Sequence, residues 1–155
     1  MNKIKSKKMT IVQVLPALNS GGVERGTLEI SKYLVSKKHR SIVISQGGRM
    51  KEKLVLEGGE HIELPIGKKS LLTLRLIPKI IKILRKNKVD ILHVRSRFPA
   101  WICLIAIKFM QNKKKPSIVT TFHGPYSINC YSSIMAKGDV VIAVSKMIKN
   151  YILKN

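Results

Sequence analysis

Several short clusters in this 155-residue chain carry groups suited to chemistry. The first, Asn19-Ser20-Gly21-Gly22-Val23-Glu24-Arg25-Gly26, stands between an apolar run, Thr10 to Leu15, and an amphipathic segment, Thr27 to Val35. A strand, a glycine turn and a helix start, in that order, let backbone approach a ligand closely. The first helical turn then offers unpaired N–H groups and a positive dipole end to a phosphate. The two glycines are adjacent, unlike the spaced glycines of dinucleotide sites, and such turns also use glycine for steric reasons alone. Arg95 and Arg97 flank Ser96 after another apolar run. Their planar guanidinium forks suit phosphate or carboxylate, with a surface ion pair as the plain alternative. His123-Gly124 ends a third run. An imidazole there either reaches a bound ligand or serves as a structural hydrogen-bonding group, and Gly124 lets the chain turn away. Ser145 follows the last apolar run in the position of a helix N-cap. The sequence shows no carboxylate pair at a strand end, no Ser-His-Asp arrangement and no metal-ligand spacing.

The elements that must position these clusters follow from the period of the apolar residues. Thr10–Val14, Ser41–Ser45, His61–Leu64, Asp90–Val94, Ser117–Phe122 and Asp139–Val144 read as strands. Val23–Lys37, Lys51–Glu57, Leu71–Asn87, Pro99–Met110 and Lys146–Leu153 read as helices, with a start or a kink at Pro78. Short strands alternating with helices predict an α/β fold: a single Rossmann-like domain, its sheet mostly parallel and covered by helices on both faces. Ligands in such sheets bind at the carboxyl ends of the strands. Gly21-Gly22, Gly47-Gly48, Arg95-Ser96-Arg97, His123-Gly124 and Ser145 all fall there. His93 falls inside the fourth strand and is expected to pack into the sheet.

Composition narrows the partners. Lysine and arginine number 30 against 8 acidic residues, a formal charge of +22. Such an excess fits an anionic partner, or a lysine-rich solvated surface. Arg75, Lys79, Lys82 and Lys86 recur at helical spacing and form a candidate membrane-facing stripe, with a plain solvent-exposed face as the alternative. Nucleic acid is not expected, since aromatics are few and no RNA-binding signature is present. Cys103 lies in an apolar segment and Cys130 in a loop-like one, a usage that suits a reducing compartment. Met1–Lys8 forms a basic tail. Tail and first apolar run together look like a signal peptide, but Gln13 and Pro16 interrupt the run. The longest uninterrupted apolar stretch, Ala100–Ile107, is far short of the roughly 20 residues of a membrane span.

Taken in order, Gly21-Gly-Val-Glu24, Asp90-Ile-Leu-His-Val-Arg-Ser-Arg-Phe-Pro-Ala-Trp101, Val119-Thr-Thr-Phe-His-Gly124 and Met135-Ala-Lys-Gly-Asp-Val-Val-Ile-Ala-Val-Ser145 closely resemble the N-terminal domain of GT-B glycosyltransferases of family 4. The resemblance runs from about Thr10 to Leu153. The stretch from His93 to Trp101 is similar to bacterial enzymes of cell-envelope polysaccharide or lipopolysaccharide assembly. The resemblance implies half of a two-domain cleft. It places Gly21 and Gly22 toward a diphosphate or acceptor and His123 near the transferred sugar. Arg95, Ser96 and Arg97 fall on the acceptor side, with Gly124 and Ser145 at the same edge. No cofactor is implied beyond the nucleotide-sugar donor, which is a substrate.

The family's donor-gripping glutamates belong to a second domain, and nothing in residues 9–155 replaces them. The expectation is an N-terminal domain cut before the hinge: a fragment, a relic, or one subunit whose C-terminal half is a separate chain. Transferase activity is not expected of the isolated chain. The complete enzyme is expected to move a hexose from a nucleotide sugar to a lipid-linked or polysaccharide acceptor, in the cytoplasm and peripheral to the inner membrane. The alternative is a non-enzymatic basic domain that binds an anionic membrane surface or nucleic acid.

Overall fold

The computed structural model describes residues 7–110 and 114–155; most of the basic tail, residues 1–6, lies outside them. Six strands form one sheet: β1 (Thr10–Val14), β2 (Arg40–Ser45), β3 (Glu60–Glu63), β4 (Ile91–Val94), β5 (Ser117–Phe122) and β6 (Val140–Ala143). Their spatial order is β3-β2-β1-β4-β5-β6, and every pairing is parallel. The chain starts in the middle, winds outward to β3, then crosses back beside β1 and winds out to β6. That reversal puts a crevice at the carboxyl ends of β1 and β4, where open α/β sheets take ligands.

Period-2 alternation sorts the side chains to two faces. Val12, Val14, Ile42, Ile44, Leu92 and Val94 join the larger core. There they meet α3 (Ile77–Lys86), α4 (Arg97–Phe109) and α6 (Lys146–Lys154). Leu15 and Val43 join a smaller cluster with Leu28 of α1 (Gly22–Ser36) and Leu54 of α2 (Lys51–Leu56). Cys103 is buried in the larger core, and its burial pushes the thiol up to about 12.

Three elements refine or differ from the sequence expectation. The segment Leu71–Asn87, expected as helix with a start or a kink at Pro78, takes the start: α3 begins at Ile77 with Pro78 in its first turn, and Leu71–Leu76 forms a 3-10 segment before it. Proline is tolerated there because first-turn N–H groups have no helical partner. Arg75 therefore stands on the 3-10 segment, apart from Lys79, Lys82 and Lys86 on α3. Helix α4 starts at Arg97 rather than Pro99, after an extended Ser96 whose carbonyl accepts from Ala100 N at 3.0 Å. Arg97 is thus a helical residue, not a loop one. A short helix, α5 (Cys130–Ser133), forms in the stretch taken for loop, capped by the Asn129 side chain.

The acidic residues Asp90 and Asp139 lie just before β4 and β6 and close the amino edge of the sheet. Asp90 accepts from Thr10 N at 2.9 Å and Asp139 from Ile118 N at 2.7 Å. The carboxyl edge is left to the glycine turn, the arginines and His123.

Candidate functional site

At the end of β1 the chain turns into α1 through Gly21, whose φ of 154° and ψ of 175° fall in a region open essentially to glycine. No side chain caps α1. Glu24 folds back instead: its Oε2 lies 2.6 Å from the place a Cβ on Gly21 would take. The backbone conformation is what requires glycine here, since the Glu24 carboxylate ends a flexible side chain that can swing aside. Gly22 opens onto free space.

Arg95 follows β4 and turns inward under α1. It is only 5% exposed. Its backbone N donates to Val14 O at 3.0 Å, and its Nη1 donates to Gln13 Oε1 at 3.1 Å. Gln13 Nε2 in turn donates to Thr27 O at 3.0 Å, and Thr27 Oγ1 donates to Val23 O at 2.8 Å. Arg95 Nη2 lies 3.1 Å from where a Cβ on Gly26 would be, so the small residue makes room for the guanidinium. Burial pulls the Arg95 guanidinium below its ordinary value, and the Glu24 carboxylate offsets part of that. Its Nε has no partner among the described residues.

Two histidines share this charge. His93 is buried in β4 and its Nε2 is 2.7 Å from Thr121 Oγ1. Burial first, then the charges of Arg95 and of His123, lower it to about 4. His123 follows β5. Burial and then Arg95 lower it to about 4 as well. Both imidazoles are therefore neutral at pH 7. The buried His123 Nε2 has no partner among the described residues. A neutral imidazole with a free nitrogen beside a fixed cation can hydrogen-bond a hydroxyl without adding charge.

Arg97 stands apart from Arg95. Its guanidinium lies over the rings of Tyr126, at 4.7 Å, and Tyr131, at 5.3 Å. Its Nη1 donates to Ser132 Oγ at 3.1 Å. Trp101 Nε1 holds Tyr131 by its carbonyl at 3.0 Å, and the Tyr151 hydroxyl donates to Tyr126 O. A pocket of about 140 Å³ lies behind this cluster, lined by Phe122, Tyr126, Asn129, Ser132 and Tyr151 among others.

The structure brings Gly21, Arg95 and His123 to the α1 side of the carboxyl edge. Ser96 and Arg97 lie at the start of α4, with Gly124 in the turn after β5. Ser145 caps α6, accepting from Ile148 N at 3.2 Å. Arg75 is exposed on the 3-10 segment, which adjoins the start of α4, and Lys79, Lys82 and Lys86 are exposed on α3. Gln13, Thr121, Tyr126 and Tyr131 did not stand out in the sequence as site residues, and Gly26 did so only as part of the glycine cluster. Gln13 did carry a signal: a polar amide inside an apolar strand needs a buried partner.

Among the described residues no group of three or more His, Cys, Asp or Glu could hold a metal ion. No helix among them is long and apolar enough to cross a membrane.

The six-stranded parallel sheet and its helices match the N-terminal half of a GT-B fold. The chain belongs to glycosyltransferase family 4, whose family model matches residues 20–155. No curated protein matches it. Among solved structures it is similar to a glycosyltransferase from Rickettsia africae ESF-5, at 44% identity and a TM-score of 0.81 over 96% of this chain and 40% of that one. It also resembles MurG of Acinetobacter baumannii, at 11% identity and a TM-score of 0.66, over 87% of this chain and 41% of that one. A UDP-N-acetylglucosamine 2-epimerase, so named for Listeria monocytogenes, aligns at 14% identity and a TM-score of 0.65, over 96% of this chain and 42% of that one. The last two likenesses concern the fold alone. The chain spans 40–42% of the length of these proteins.

Proposed function

We propose that this domain is the acceptor-side half of a hexosyltransferase. The complete enzyme moves a hexose from a nucleotide sugar to a lipid-linked or polysaccharide acceptor during bacterial cell-envelope assembly, lipopolysaccharide included. In the reaction an acceptor hydroxyl oxygen forms a bond to the anomeric carbon, the bond from that carbon to the diphosphate oxygen breaks, the nucleoside diphosphate leaves with the bonding pair, and the hydroxyl proton passes to it or to water. The observation that carries the reading is the neutral His123, its buried Nε2 unpaired beside the buried Arg95 at the carboxyl edge.

In this reading His123 binds a hydroxyl of the transferred sugar. The open backbone at Gly21 and Gly22 lies against the diphosphate or the acceptor. Arg95 supplies fixed positive charge under α1. Ser96, Arg97, Gly124 and Ser145 line the acceptor side. No cofactor is called for, because the nucleotide sugar is itself the substrate. The donor-gripping half of the cleft is supplied by residues beyond these 155, in the same or a separate chain. Work at the cytoplasmic face of the inner membrane brings the domain to a lipid-linked acceptor.

Nucleotide sugars titrated into the 15N-labelled chain test this. Amide shifts are expected at Gly21, Gly22 and His123, and their loss in His123→Ala. Shifts confined to other elements, or none with any nucleotide sugar of a broad panel, overturn the reading. Turnover is expected only when a C-terminal donor domain is added. Turnover by the chain alone would refute that part.

A further inference from the structure

The 3-10 segment Leu71–Leu76 turns three of its four leucines outward, while Leu76 packs against the core. Leu71 is 85% exposed, Leu72 63% and Leu74 41%. Single exposed leucines need no explanation, but three within four residues do. The turn is not loose. The Ser70 hydroxyl accepts from Leu72 N at 3.2 Å, and buried Thr73 donates from Oγ1 to Lys68 O at 2.6 Å. The one polar residue among the leucines thus faces in and anchors the backbone, and this inverted pattern holds the leucines in solvent.

The surroundings select the partner. From Leu64 to Val89 the sequence has no acidic residue and eight basic ones, including Lys68, Lys69 and Arg75 around the leucines and Lys79, Lys82 and Lys86 on α3. None of these six forms an ion pair among the described residues. Two other exposed apolar patches lack this setting. Val55 and Leu56 end α2 between Glu52 and Glu57. Val140 and Ile142 lie on the edge strand β6, whose free backbone suits another strand better than lipid. Apolar side chains ringed by unpaired cations match the two layers of an anionic membrane surface, its phosphates and its acyl chains.

We propose that Leu71, Leu72 and Leu74 form a wedge that inserts into an anionic lipid surface, with Lys68, Lys69, Arg75 and the α3 lysines as its electrostatic collar. The inference deepens the membrane part of the function proposed above and locates it. The basic stripe assists, and the leucines insert. A shallow apolar groove of about 370 Å³, lined by Leu71, Leu74, Phe98 and Tyr131, runs from the wedge. Tyr131 also lies under Arg97. An acceptor held in the bilayer by an acyl chain can lie along this groove with its polar part toward Arg97.

Vesicle flotation of the 155-residue chain tests the wedge. The parent chain is expected to float with vesicles of phosphatidylcholine containing phosphatidylglycerol and not with phosphatidylcholine alone. The variant Leu71→Ser/Leu72→Ser/Leu74→Ser is expected to lose about tenfold or more in partitioning while its far-UV circular dichroism stays native. The three positions are exposed, so the fold does not depend on them. In a Leu72→Trp/Trp101→Phe variant, brominated lipid is expected to quench the fluorescence. Equal flotation of parent and triple variant, an unquenched signal, or retention on RNA in place of vesicles each overturns the wedge. These outcomes leave the amide shifts at Gly21 and His123 untouched, so failure of the wedge and failure of the transfer reading are separate results.

Discussion

The two faces of the sheet are built from different materials. On the face toward α3, α4 and α6, the strands β1, β2 and β4 present Val12, Val14, Ile42, Ile44, Leu92 and Val94, all buried. On the face toward α1 the same strands alternate to Gln13, Ser41, Ser45 and His93, also buried, with Thr121 from β5, and the apolar Ile11 and Val43 stand among them. These polar groups are paired: Ser41 Oγ donates to Ser31 Oγ of α1 at 2.8 Å, Ser45 Oγ lies 2.9 Å from His61 Nε2, and Gln13 bridges Thr27 and Arg95. Burying such groups adds less stability than burying alkyl chains of the same size, and it fixes one geometry. The reason lies two residues further on. By the same alternation Arg95 continues the row of His93, and His123 continues the row of Thr121. The polar face is the foundation of the candidate site, and the apolar face is the foundation of the fold.

Removing volume from the apolar face is expected to cost most. Leu92→Ala leaves a cavity among well-packed neighbours and should lower unfolding free energy by about 2–5 kcal/mol. Urea denaturation checks the loss, and the His93 and His123 titrations should stay where they are. A shift in either histidine would show that the faces are coupled.

A polar-face change should cost less and reach further. Gln13→Leu keeps the volume but leaves the buried Arg95 Nη1 without its partner and takes a second bond from the Thr27 carbonyl, which keeps its bond within α1. The expected loss is about 1–3 kcal/mol, read by the same denaturation. Unlike Leu92→Ala, it should also shift the His123 ring signals, because Arg95 loses its anchor.

Between about pH 6.5 and 4, acid should act mainly through the buried histidines of the polar face. His93 and His123 titrate at about 4 in the fold and at about 6.5 when unfolded. Between those values the unfolded chain binds the extra protons, so stability falls as pH drops from about 6.5 toward about 4. Arg95→Met removes the cation that both imidazoles feel, and both midpoints should rise in an NMR titration. Since burial is the larger cause for each, the rise should stop short of the unfolded value. Unmoved midpoints would remove Arg95 from the electrostatics of the site.

The two faces also differed in how well the sequence disclosed them. The apolar face announced itself through runs such as Thr10–Val14 and Ser117–Phe122, whose strand limits agree with the structure. The spatial order of the strands is not written in any local period. Helix α4 began two residues early because Pro99 suits a first turn, so Arg97-Phe98 could precede it in helical form. Helix α5 lacks an apolar period altogether, and with it the Tyr126–Arg97–Tyr131 cluster stayed hidden. The glycine turn, Arg95 and His123 were visible as unusual residues at strand ends. Their link through Gln13 was not, because it joins residues 82 apart in the chain.

The smallest effect tests how tightly that link is packed. Gly26 occupies a helical position in α1, where alanine is favoured by about 1 kcal/mol. The new Cβ of Gly26→Ala would stand 3.1 Å from Arg95 Nη2, so the guanidinium must withdraw by a few tenths of an ångström. Arg95 is held by Gln13 and has little room, being buried. The gain in helix propensity and the cost of that shift should nearly cancel, leaving stability within about 1 kcal/mol of the parent. The histidines are the sharper readout, since the displaced charge should move the His123 midpoint while Leu92→Ala should not. A full gain of about 1 kcal/mol with unchanged titration would mean that Arg95 yields freely. The polar face would then be merely hydrogen-bonded, and the contrast with the apolar face would shrink to one of composition.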